Sequence, residues 1–520
     1  MTEKYWKKRS AKRMFSYIDK ADKVADVIGK AYLNATKYLQ GEAEKVFEAY
    51  RRNTGLSEHE AKQLLSKVGN KLDYESFKRV YNKVKDPEIR KTLLAQLDAP
   101  AYRARLQRLE GLRKKVLEQC NEIYGVELKE ANKHLFELAN DAYNLSMYDI
   151  QKGIGYGFEF AQLSKEGIEE ILKNEWSGEH YSKRIWDNTK TVAELVKHEI
   201  FLGEMVGKSA HDMSAAIMDK MGVGAMQARR LIRTESCFVA NQAEMESYKE
   251  CDLERYRFIA TLDLVTSDVC AALDGKTFPV DQQQPGVNCP PMHPNCRSTT
   301  IACIDDDDLE GLKRRARDPV TGENVTVPAD ITYDEWMDLQ QEKYGVDEIA
   351  LRTKMAYNRN DDRKQYEKYA KRLGADMPKT FSDFQKLKYT NSSEYKELGE
   401  YYKYKGKVPE ATAENYRAYK AIKSIGILGV VRVPPQNIDT SILVFNDSHA
   451  ENHGCSLADA IGYIEKAKCS ISRKRWDGVH TNYYSFDGAA YVSDDTKKIK
   501  TAFSSDDFDS RTKELMEVFE

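Results

Sequence analysis

The sequence predicts a multidomain protein whose N-terminal two thirds is mainly α and contains a small α+β core rich in Cys and His. A tethered small α+β domain is expected at the C-terminus. The chain has 520 residues, which is more than one hydrophobic core usually supports. Only 41% of the residues are hydrophobic and 32% are charged, which favours long exposed helices. After Arg255, helical spacing of apolar residues gives way to a strand-like and Cys-rich texture.

Charge and hydropathy argue against several classes of protein. The 81 Lys and Arg residues balance 83 Asp and Glu residues, so the formal net charge is -2. This balance argues against a nucleic-acid coat protein or a polybasic membrane anchor. No stretch approaches the roughly 18 consecutive apolar residues of a membrane-spanning helix, so we expect no membrane segment. The basic start of the chain lacks the apolar run of a secretory signal, and we expect none.

The cysteines are distributed unevenly. There are nine in the chain, and four of them lie in one short segment: Cys270, Cys289, Cys296 and Cys303. An odd number thinly spread over a long chain argues against a disulfide framework. We therefore expect a reduced compartment with a local metal or thiol cluster.

Residues 1–150 are predicted to form a region of long helices. Apolar residues recur there at three- and four-residue spacing, and the first proline is Pro87. Ser57 with Glu60 forms a capping box, which predicts the start of a new helix. Pro100 predicts the end of another helix, because proline lacks a backbone donor and restricts the residue before it.

Residues 151–303 are predicted to form the α+β core. The glycine-rich run at 153–158 marks its boundary, and helical spacing then resumes to about Lys249. The run Gly222 to Gly224 predicts a turn within this helical stretch. Residues 256–262 have strand character, and a Pro- and Cys-rich loop region follows to Cys303.

The remaining chain divides into a connector, residues 304–410, and a C-terminal domain, residues 411–520. The connector begins with four consecutive acids, Asp305 to Asp308, and a Pro- and Gly-containing stretch typical of an exposed linker. The charged, Tyr-rich helical part that follows has few residues for a core, so we expect it to pack against something else. Residues 411–520 combine an apolar run, helices and short strands, which predicts a small α+β domain.

Four residues form a candidate metal site. Cys289, His293 and Cys296 lie within eight residues, and three prolines stiffen the loop between them. With Cys270 they make a Cys3His set, which zinc binds tetrahedrally in structural sites. Such a zinc could add roughly 10 kcal/mol to the folding of a poorly cored segment. The alternative is that these residues are small buried hydrophobes and a loop histidine. A catalytic metal is disfavoured, because four protein ligands leave no open position.

A set of motifs extends from the start of the chain to about residue 330. It comprises Tyr5 to Arg9, Arg230 to Glu235, Asn241, Thr261 to Asp263, Thr266 to Ser267, Cys270, Leu273 to Lys276, Phe278 to Pro279, Gly286 to Asn288, His293 to Thr299, Asp318 to Gly322 and Val327 to Asp330. Together these motifs resemble the phage head morphogenesis family, the Mu F-like minor head proteins. The resemblance covers about residues 1–350, with its specific core at 200–302. Members of that family vary at the positions of Ser267 and Cys289, so Asp263 is the alternative fourth ligand.

The resemblance implies a component of the virion, built in few copies into the procapsid interior at the portal vertex. Its implied partners are the portal protein, a capsid or scaffold protein, and packaged DNA with which it could be delivered. The implied location is the head interior near the portal vertex, with the host cytoplasm as the place of assembly.

Three arginines lie at helical spacing near one face of a predicted helix: Arg229, Arg230 and Arg233. One interpretation is a solvated face with ion pairs to Glu235 and Glu244, and we favour it. The other interpretation is contact with the phosphates of DNA passing the portal.

The C-terminal domain contains the residue types of a metal-free ribonuclease. His449 and His453 are four residues apart, which on a helix places both imidazoles on one face. Histidine can deprotonate a 2′-hydroxyl and protonate a leaving oxygen, while Arg473 or Arg475 can bind the phosphate. Tyr484 could stack on a base, although a core tyrosine is the simpler interpretation. The histidines could equally be surface residues, a helix-end contact or a second metal pair.

Residues 414–520 have a His-rich start, a turn at Asp487-Gly488 that leads into a strand, and the ending Thr501-Ala502-Phe503. These features are similar to the barnase-, EndoU- and RelE-like nuclease domains fused to phage minor head proteins. The similarity implies RNA as a substrate and a role for Thr501 as a donor to the phosphate. It also implies His449 or His453 as general base or acid, with Arg473 or Arg475 at the phosphate.

Three hypotheses describe the whole chain. The leading one is a structural minor head protein that carries a nuclease-like effector domain. The second makes the chain a phage-delivered toxin, a ribonuclease whose N-terminal region serves packaging and delivery. The third makes the C-terminal domain a docking module without catalysis. An ADP-ribosyltransferase tail ranks below the nuclease, because the sequence has no clear Arg, Ser-Thr-Ser and Glu-x-Glu series.

Overall fold

The computed structural model describes residues 6–47, 54–66, 73–154, 157–176, 178–303, 313–328, 330–445 and 453–520. The chain divides into two compact units, Met1–Ile349 and Ala350–Glu520. The predicted connector, residues 304–410, is thus divided between the two units.

Helices make up most of the first unit, as predicted for the N-terminal part of the chain. They are α1 (Trp6–Phe47), α2 (Glu58–Leu65), α3 (Tyr74–Tyr81), α4 (Pro87–Asp98), α5 (Pro100–Ile154), α6 (Lys165–Lys173), α7 (Tyr181–Val206), α8 (Ala210–Glu250), α9 (Asp268–Leu273) and α10 (Tyr333–Tyr344). The predicted capping box is confirmed, because Ser57 Oγ accepts from the Glu60 N–H and the Glu60 carboxylate accepts from the Ser57 N–H. The break predicted at Pro100 is confirmed too, since α4 ends at Asp98 and α5 begins at Pro100.

Two apolar clusters hold the long helices together. One includes Leu39 of α1, Leu109 of α5 and Phe201 of α7. The other combines residues of α1, α5 and α8 with Cys270 and Cys296. The long helices therefore support the Cys- and His-rich region directly.

The turn predicted within α8 is wrong. The helix continues from Ala210 to Glu250 through the run Gly222 to Gly224. A Cβ built at Gly224 would lie 2.6 Å from both Tyr32 Cε1 and Val192 Cγ2. This glycine therefore serves the close approach of α8 to α1 and α7 and does not break the helix.

A three-stranded antiparallel sheet frames the Cys- and His-rich region. Its central strand β1 (Arg255–Ile259) pairs with β2 (Thr277–Pro279) on one side and with β3 (Thr299–Cys303) on the other. Helix α9 connects β1 to β2, and a loop connects β2 to β3. The sheet thus anchors both segments that carry the predicted metal ligands.

Part of the predicted exposed linker is folded. Strands β4 (Lys313–Arg317) and β5 (Asn324–Pro328) form an antiparallel hairpin. The buried Arg314 donates to Asp274 Oδ2 at 2.9 Å and to the Ala260 carbonyl at 2.8 Å. These contacts show that β4 is packed against the domain, whereas β5 is largely exposed, so the expectation of an exposed linker is wrong for β4. The acids Asp305 to Asp308 lie outside the described residues.

The second unit contains both a helical part and a sheet. Its helices are α11 (Val346–Tyr357), in which the boundary falls, α12 (Arg359–Leu373), α13 (Phe381–Thr390), α14 (Ser392–Lys405), α15 (Ala413–Ser424), α16 (Leu457–Glu465) and α17 (Ser510–Glu517). Within the described ranges of both units, no helix has an apolar stretch of the length that crossing a bilayer requires.

The Tyr-rich helical part has a core of its own, which the sequence did not lead us to expect. Phe384, Tyr401, Tyr404 and Tyr416 are buried together. The hydroxyls of the three tyrosines have acceptors, as in the 2.9 Å hydrogen bond from Tyr404 to the Val433 carbonyl. Tyrosine can build a core because the ring is buried while its hydroxyl is hydrogen-bonded.

A six-stranded sheet forms the C-terminal part of the second unit. Its strand order is β6 (Val430–Arg432), β8 (Cys469–Arg475), β9 (Gly478–Tyr484), β10 (Gly488–Ser493), β11 (Lys498–Ser504) and β7 (Val444–Phe445). Neighbouring strands are antiparallel except β11 and β7. One face packs on α15 and α17, and the other packs on α16. We name the first of these the α15/α17 face.

Candidate functional site

Cys270, His293 and Cys296 come together in the first unit. Cys270 Sγ lies 3.4 Å from His293 Nε2 and 3.8 Å from Cys296 Sγ. The three ligand atoms all lie within 4.8 Å of one another. Both cysteines are buried, and the histidine is half-buried. This group could hold a metal ion.

Local backbone structure orients two of these side chains. Ser267 caps α9, and its Oγ accepts from the Cys270 N–H at 3.3 Å. His293 Nδ1 lies 2.9 Å from the Pro294 carbonyl oxygen. When Nδ1 donates its proton to this carbonyl, Nε2 presents its lone pair toward Cys270, as in histidines that ligate metals.

Helix α8 lies behind Cys296 and contributes a further thiol. The Asn295 N–H donates to Thr234 Oγ1 on α8 at 2.9 Å, which ties the loop to the helix. Cys237, also on α8, donates from its thiol to the Ser298 carbonyl at 3.5 Å. It lies beside Cys296, and the neighbouring thiols of Cys237 and Cys270 hold the pKa of Cys296 well below its usual value. Cys237 is fully buried. It is therefore a third sulfur beside the group, although it is not one of the three ligand atoms that all lie within 4.8 Å of one another.

Cys237 is not among the metal ligands predicted from the sequence. It lies on a long helix, far from the loop cysteines in sequence, so no ligand spacing connects it with them. The only available signal was its position between two family motifs on α8, Arg230 to Glu235 and Asn241. That position does not reveal which residue faces the loop.

The two residues predicted as alternatives for the fourth ligand lie apart from the group. Cys289 is buried in a different apolar cluster, with Met245 among its members. Asp263 is bound to Arg297 through both carboxylate oxygens, with Arg297 Nη2 at 3.0 Å from Oδ1. Apolar packing in one case and an ion pair in the other explain why neither side chain joins Cys270.

The arginines of α8 form ion pairs, but with helix α1. Arg229 Nη1 lies 2.9 Å and Arg233 Nε lies 3.5 Å from the same oxygen, Oδ1 of Asp22. The two acids predicted as their partners bind elsewhere: Glu235 pairs with Arg184, and Glu244 accepts from Thr299. The favoured interpretation as ion-pairing residues therefore holds for Arg229 and Arg233, with different partners.

The predicted histidine pair of the C-terminal domain is described only in part. His453 is exposed and lies in a turn before α16, so this residue is not on a helix. Its ring centroid lies 6.0 Å from that of Phe503 on β11. His449 lies outside the described residues.

Three other predicted catalytic residues share the α15/α17 face. Arg473, Tyr484 and Thr501 lie on β8, β9 and β11, and strand register with alternation of side chains assigns all three to this face. Tyr484 Oη lies 3.3 Å from Tyr491 Oη, and Tyr491 is the register partner of Thr501. The exposed Arg473 donates from Nε to the Leu428 carbonyl at 2.8 Å.

The exposure of these side chains separates their possible roles. Tyr484 is only 5% exposed, so it supports the sheet and is not open to a base. Arg475 is exposed at the end of β8, on the same side of the strand as Arg473. Arg473, Arg475 and Thr501 therefore remain the predicted phosphate contacts.

A further histidine on this face was not singled out in the sequence. His480 is the register partner of Arg473, and its Nε2 lies 3.0 Å from Asp477 Oδ1. The other oxygen of Asp477 lies 3.4 Å from Lys500 Nζ. A single histidine within a strand has no spacing signal, so only the fold reveals this cluster.

Comparison with known proteins bears on the first unit. Residues 194–301 match the family model described as Phage Mu protein F like protein. A curated relative, the NAD(+)--arginine ADP-ribosyltransferase EFV of Enterococcus faecalis, is 25% identical over 212 residues. The match covers 38% of this chain and 42% of the relative, so the chain spans less than half of that relative's length. No solved structure matches the chain significantly.

The matched residues include Cys237, Cys270, His293 and Cys296, and thus the whole candidate metal centre. The match agrees with the motifs read from the sequence, and it ends at residue 301. Residues 194–301 of this chain are therefore similar to the family described as Phage Mu protein F like protein.

Proposed function

We propose that this chain is a phage minor head protein that acts in procapsid assembly at the portal vertex. The observation that supports this most strongly is the Cys270, His293 and Cys296 group, which lies inside the segment matching the Mu F-like family. In this proposal the protein is packaged inside the head near the portal vertex, after assembly in the host cytoplasm. Its partners are the portal protein and a capsid or scaffold protein.

The metal in this proposal is a structural zinc. Zinc bonded tetrahedrally to sulfur at about 2.3 Å and to nitrogen at about 2.0 Å requires sulfur–sulfur edges of about 3.8 Å and sulfur–nitrogen edges of about 3.5 Å. The corresponding distances between Cys270, Cys296 and His293 are 3.8 Å and 3.4 Å. The donor set thus fits zinc in spacing as well as in chemistry.

We assign the fourth ligand position to Cys237 in place of Cys289. Its thiol already contacts Cys296 and is fully buried. Four protein ligands close the coordination sphere, so the metal would have a structural role. It would join α8 to α9 and to the loop between β2 and β3, in a region that otherwise has short strands.

The second part of the proposal assigns a nuclease-like effector activity to the C-terminal domain. Arg473 and Thr501 share one sheet face, and His453 lies near Phe503 on that face. In this proposal His449 or His453 transfers the proton, Arg473 or Arg475 binds the phosphate of an RNA, and Thr501 donates to that phosphate. A phage-delivered ribonuclease toxin and a purely structural docking module are the alternatives.

The name of the Enterococcus faecalis relative supports a second candidate activity, transfer of ADP-ribose from NAD(+) to arginine. The relative is similar over only 38% of this chain. The sequence also lacks a clear series of the residues expected for that reaction. We therefore keep this activity as an alternative to be tested beside the nuclease.

The head function is tested by mass spectrometry of heads purified from the phage or prophage that encodes the chain. The proposal expects the chain in full heads and in procapsids, in fewer copies than the capsid protein, and cross-linked to the portal protein. Absence from purified heads, with the chain present in the lysate, would contradict the proposal.

The effector function is tested with the full chain, incubated with labelled RNA without added divalent cations. The nuclease proposal expects cleavage that is lost in the His449→Ala/His453→Ala and Arg473→Ala variants. His59, an exposed histidine of α2, supplies the matched control, and His59→Ala should cleave normally. A parallel incubation with labelled NAD(+) and an arginine acceptor detects ADP-ribose transfer. Transfer without RNA cleavage would replace the nuclease, and neither activity would favour the docking module.

A further inference from the structure

An exposed tryptophan lies at the tip of the hairpin formed by β8 and β9. Trp476 is 97% exposed, although tryptophan side chains are usually well buried. The three residues before it, Arg473, Lys474 and Arg475, are also exposed. We name residues 473–476 the hairpin tip. It presents an indole and three positive charges to solvent.

The charges of the hairpin tip are available to a ligand. Within the part of the chain that the structure describes, none of Arg473, Lys474 and Arg475 forms an ion pair with a carboxylate. The neighbouring acid, Asp477, is instead paired with His480 and Lys500. Alternation along β8 directs Lys474 to the opposite side from the two arginines, so cations lie on both sides of the tip.

We propose that the hairpin tip binds single-stranded RNA. Trp476 would stack on one base, and the three cations would contact the phosphates on either side of it. Proteins that bind single strands combine an aromatic platform with a positively charged track in this way. A duplex is disfavoured, because its bases are stacked on one another and have no free face for an indole.

The choice of RNA rests on the proposed function. Arg473 belongs both to the tip and to the α15/α17 face, which carries Thr501. A strand held at the tip would therefore be continuous with the face to which we assign phosphate contacts. The tip thus acts as a substrate-binding element beside that face.

An anionic membrane is the other surface that tryptophan and cations commonly contact. Here the neighbouring turn between β10 and β11 argues against it. The Asp494 N–H donates to the Val479 carbonyl at 2.9 Å, and a Cβ at Gly478 would lie 2.2 Å from Asp495 Oδ2. A flat lipid surface reaching Trp476 would also meet these acids, which repel its anionic headgroups.

The test measures binding of the full chain to a fluorescent uridine oligonucleotide of about 10 nucleotides, by fluorescence anisotropy. Trp476→Ala should weaken binding about tenfold, and Trp476→Phe should restore part of the loss. Phe486, which is 43% exposed in the turn between β9 and β10, supplies the matched control. Phe486→Ala should bind like the wild type.

Salt dependence tests the cations separately. Replacing Lys474 and Arg475 by Ala should reduce the slope of log affinity against log salt by about 0.7 for each phosphate that is no longer neutralised. Unchanged affinity in Trp476→Ala, an equal loss in Phe486→Ala, or binding to phosphatidylserine vesicles but not to RNA would overturn the proposal. RNA binding that depends on Trp476, without RNA cleavage, would support binding at the hairpin tip and contradict the proposed nuclease activity. RNA cleavage together with unchanged affinity in Trp476→Ala would support the nuclease activity and contradict RNA binding at the hairpin tip.

Discussion

One buried ion pair of the first unit joins Arg105 to Glu204. Arg105 donates to both oxygens of Glu204 and from Nη1 to the Val46 carbonyl at 3.1 Å, and both charged side chains are buried. Removing one member of such a pair leaves an uncompensated charge in a medium of low polarity. Stability at these positions therefore depends on pairing and not on charge alone.

Arg314 offers the sharpest test of this dependence. Arg314→Ala should lower the free energy of unfolding by about 3 kcal/mol, because it leaves the buried Asp274 without its ion-pair partner. Chemical denaturation followed by circular dichroism measures the change. Arg317, the exposed arginine of the same strand, is the control, and Arg317→Ala should change stability by less than about 0.5 kcal/mol. Equal effects of the two substitutions would contradict the account.

Glu127 on α5 is a buried acid with a different kind of environment. Burial raises its pKa to about 8, and the nearby Tyr32 hydroxyl lowers it only partly. The folded state therefore favours the protonated acid. Its contribution to stability is present below the ordinary pKa of 4.5 and is lost as pH rises to about 8, by about 1.4 kcal/mol for each pH unit.

The Glu127→Gln variant should accordingly lose less stability with rising pH than the wild type. Thermal unfolding followed at roughly pH 5 and pH 8.5 should give similar Tm values at the lower pH and a higher Tm for the variant at the upper pH. Glu137, exposed on the same helix, is the control. A Glu127→Gln curve parallel to that of the wild type would show that this carboxyl is ionised when folded.

At the element scale, the difference between two glycines of α8 explains the failed turn prediction. Sequence patterns treat Gly222 and Gly224 alike, because both interrupt a helical pattern. In the fold, a Cβ at Gly222 meets nothing within 4 Å, whereas one at Gly224 would collide with Tyr32 and Val192. Only the partner helices distinguish the two positions, so the sequence could not.

This difference predicts opposite effects of one substitution. Gly224→Ala should destabilise the protein by about 2 kcal/mol through overpacking between α8, α1 and α7. Gly222→Ala should stabilise it by up to about 1 kcal/mol, because alanine favours the helix. Urea denaturation of the two variants beside the wild type measures both changes. A stabilising effect at Gly224, or equal effects at both positions, would contradict the close helix contact.

At the scale of the whole molecule, local patterns predicted the elements better than their assembly. Helical spacing and the capping box at Ser57 indicated the long helices, and spacing within one loop indicated His293 and Cys296. Contacts between distant segments were not predictable in this way. The approach of Cys237 to Cys296 and the tyrosine core around Tyr404 both depend on how the chain folds back on itself.

The proposal that is most directly testable is that a zinc bound by Cys237, Cys270, His293 and Cys296 holds together the segment similar to the Mu F-like family. The most direct test is the zinc content of the full chain, measured by inductively coupled plasma mass spectrometry after gel filtration. The account predicts one zinc per chain in the wild type and in Cys289→Ala, and loss of zinc in Cys237→Ala. Both substitutions remove a buried thiol, so their cost in packing is matched. A wild type without zinc, or zinc lost in Cys289→Ala but retained in Cys237→Ala, would contradict the account.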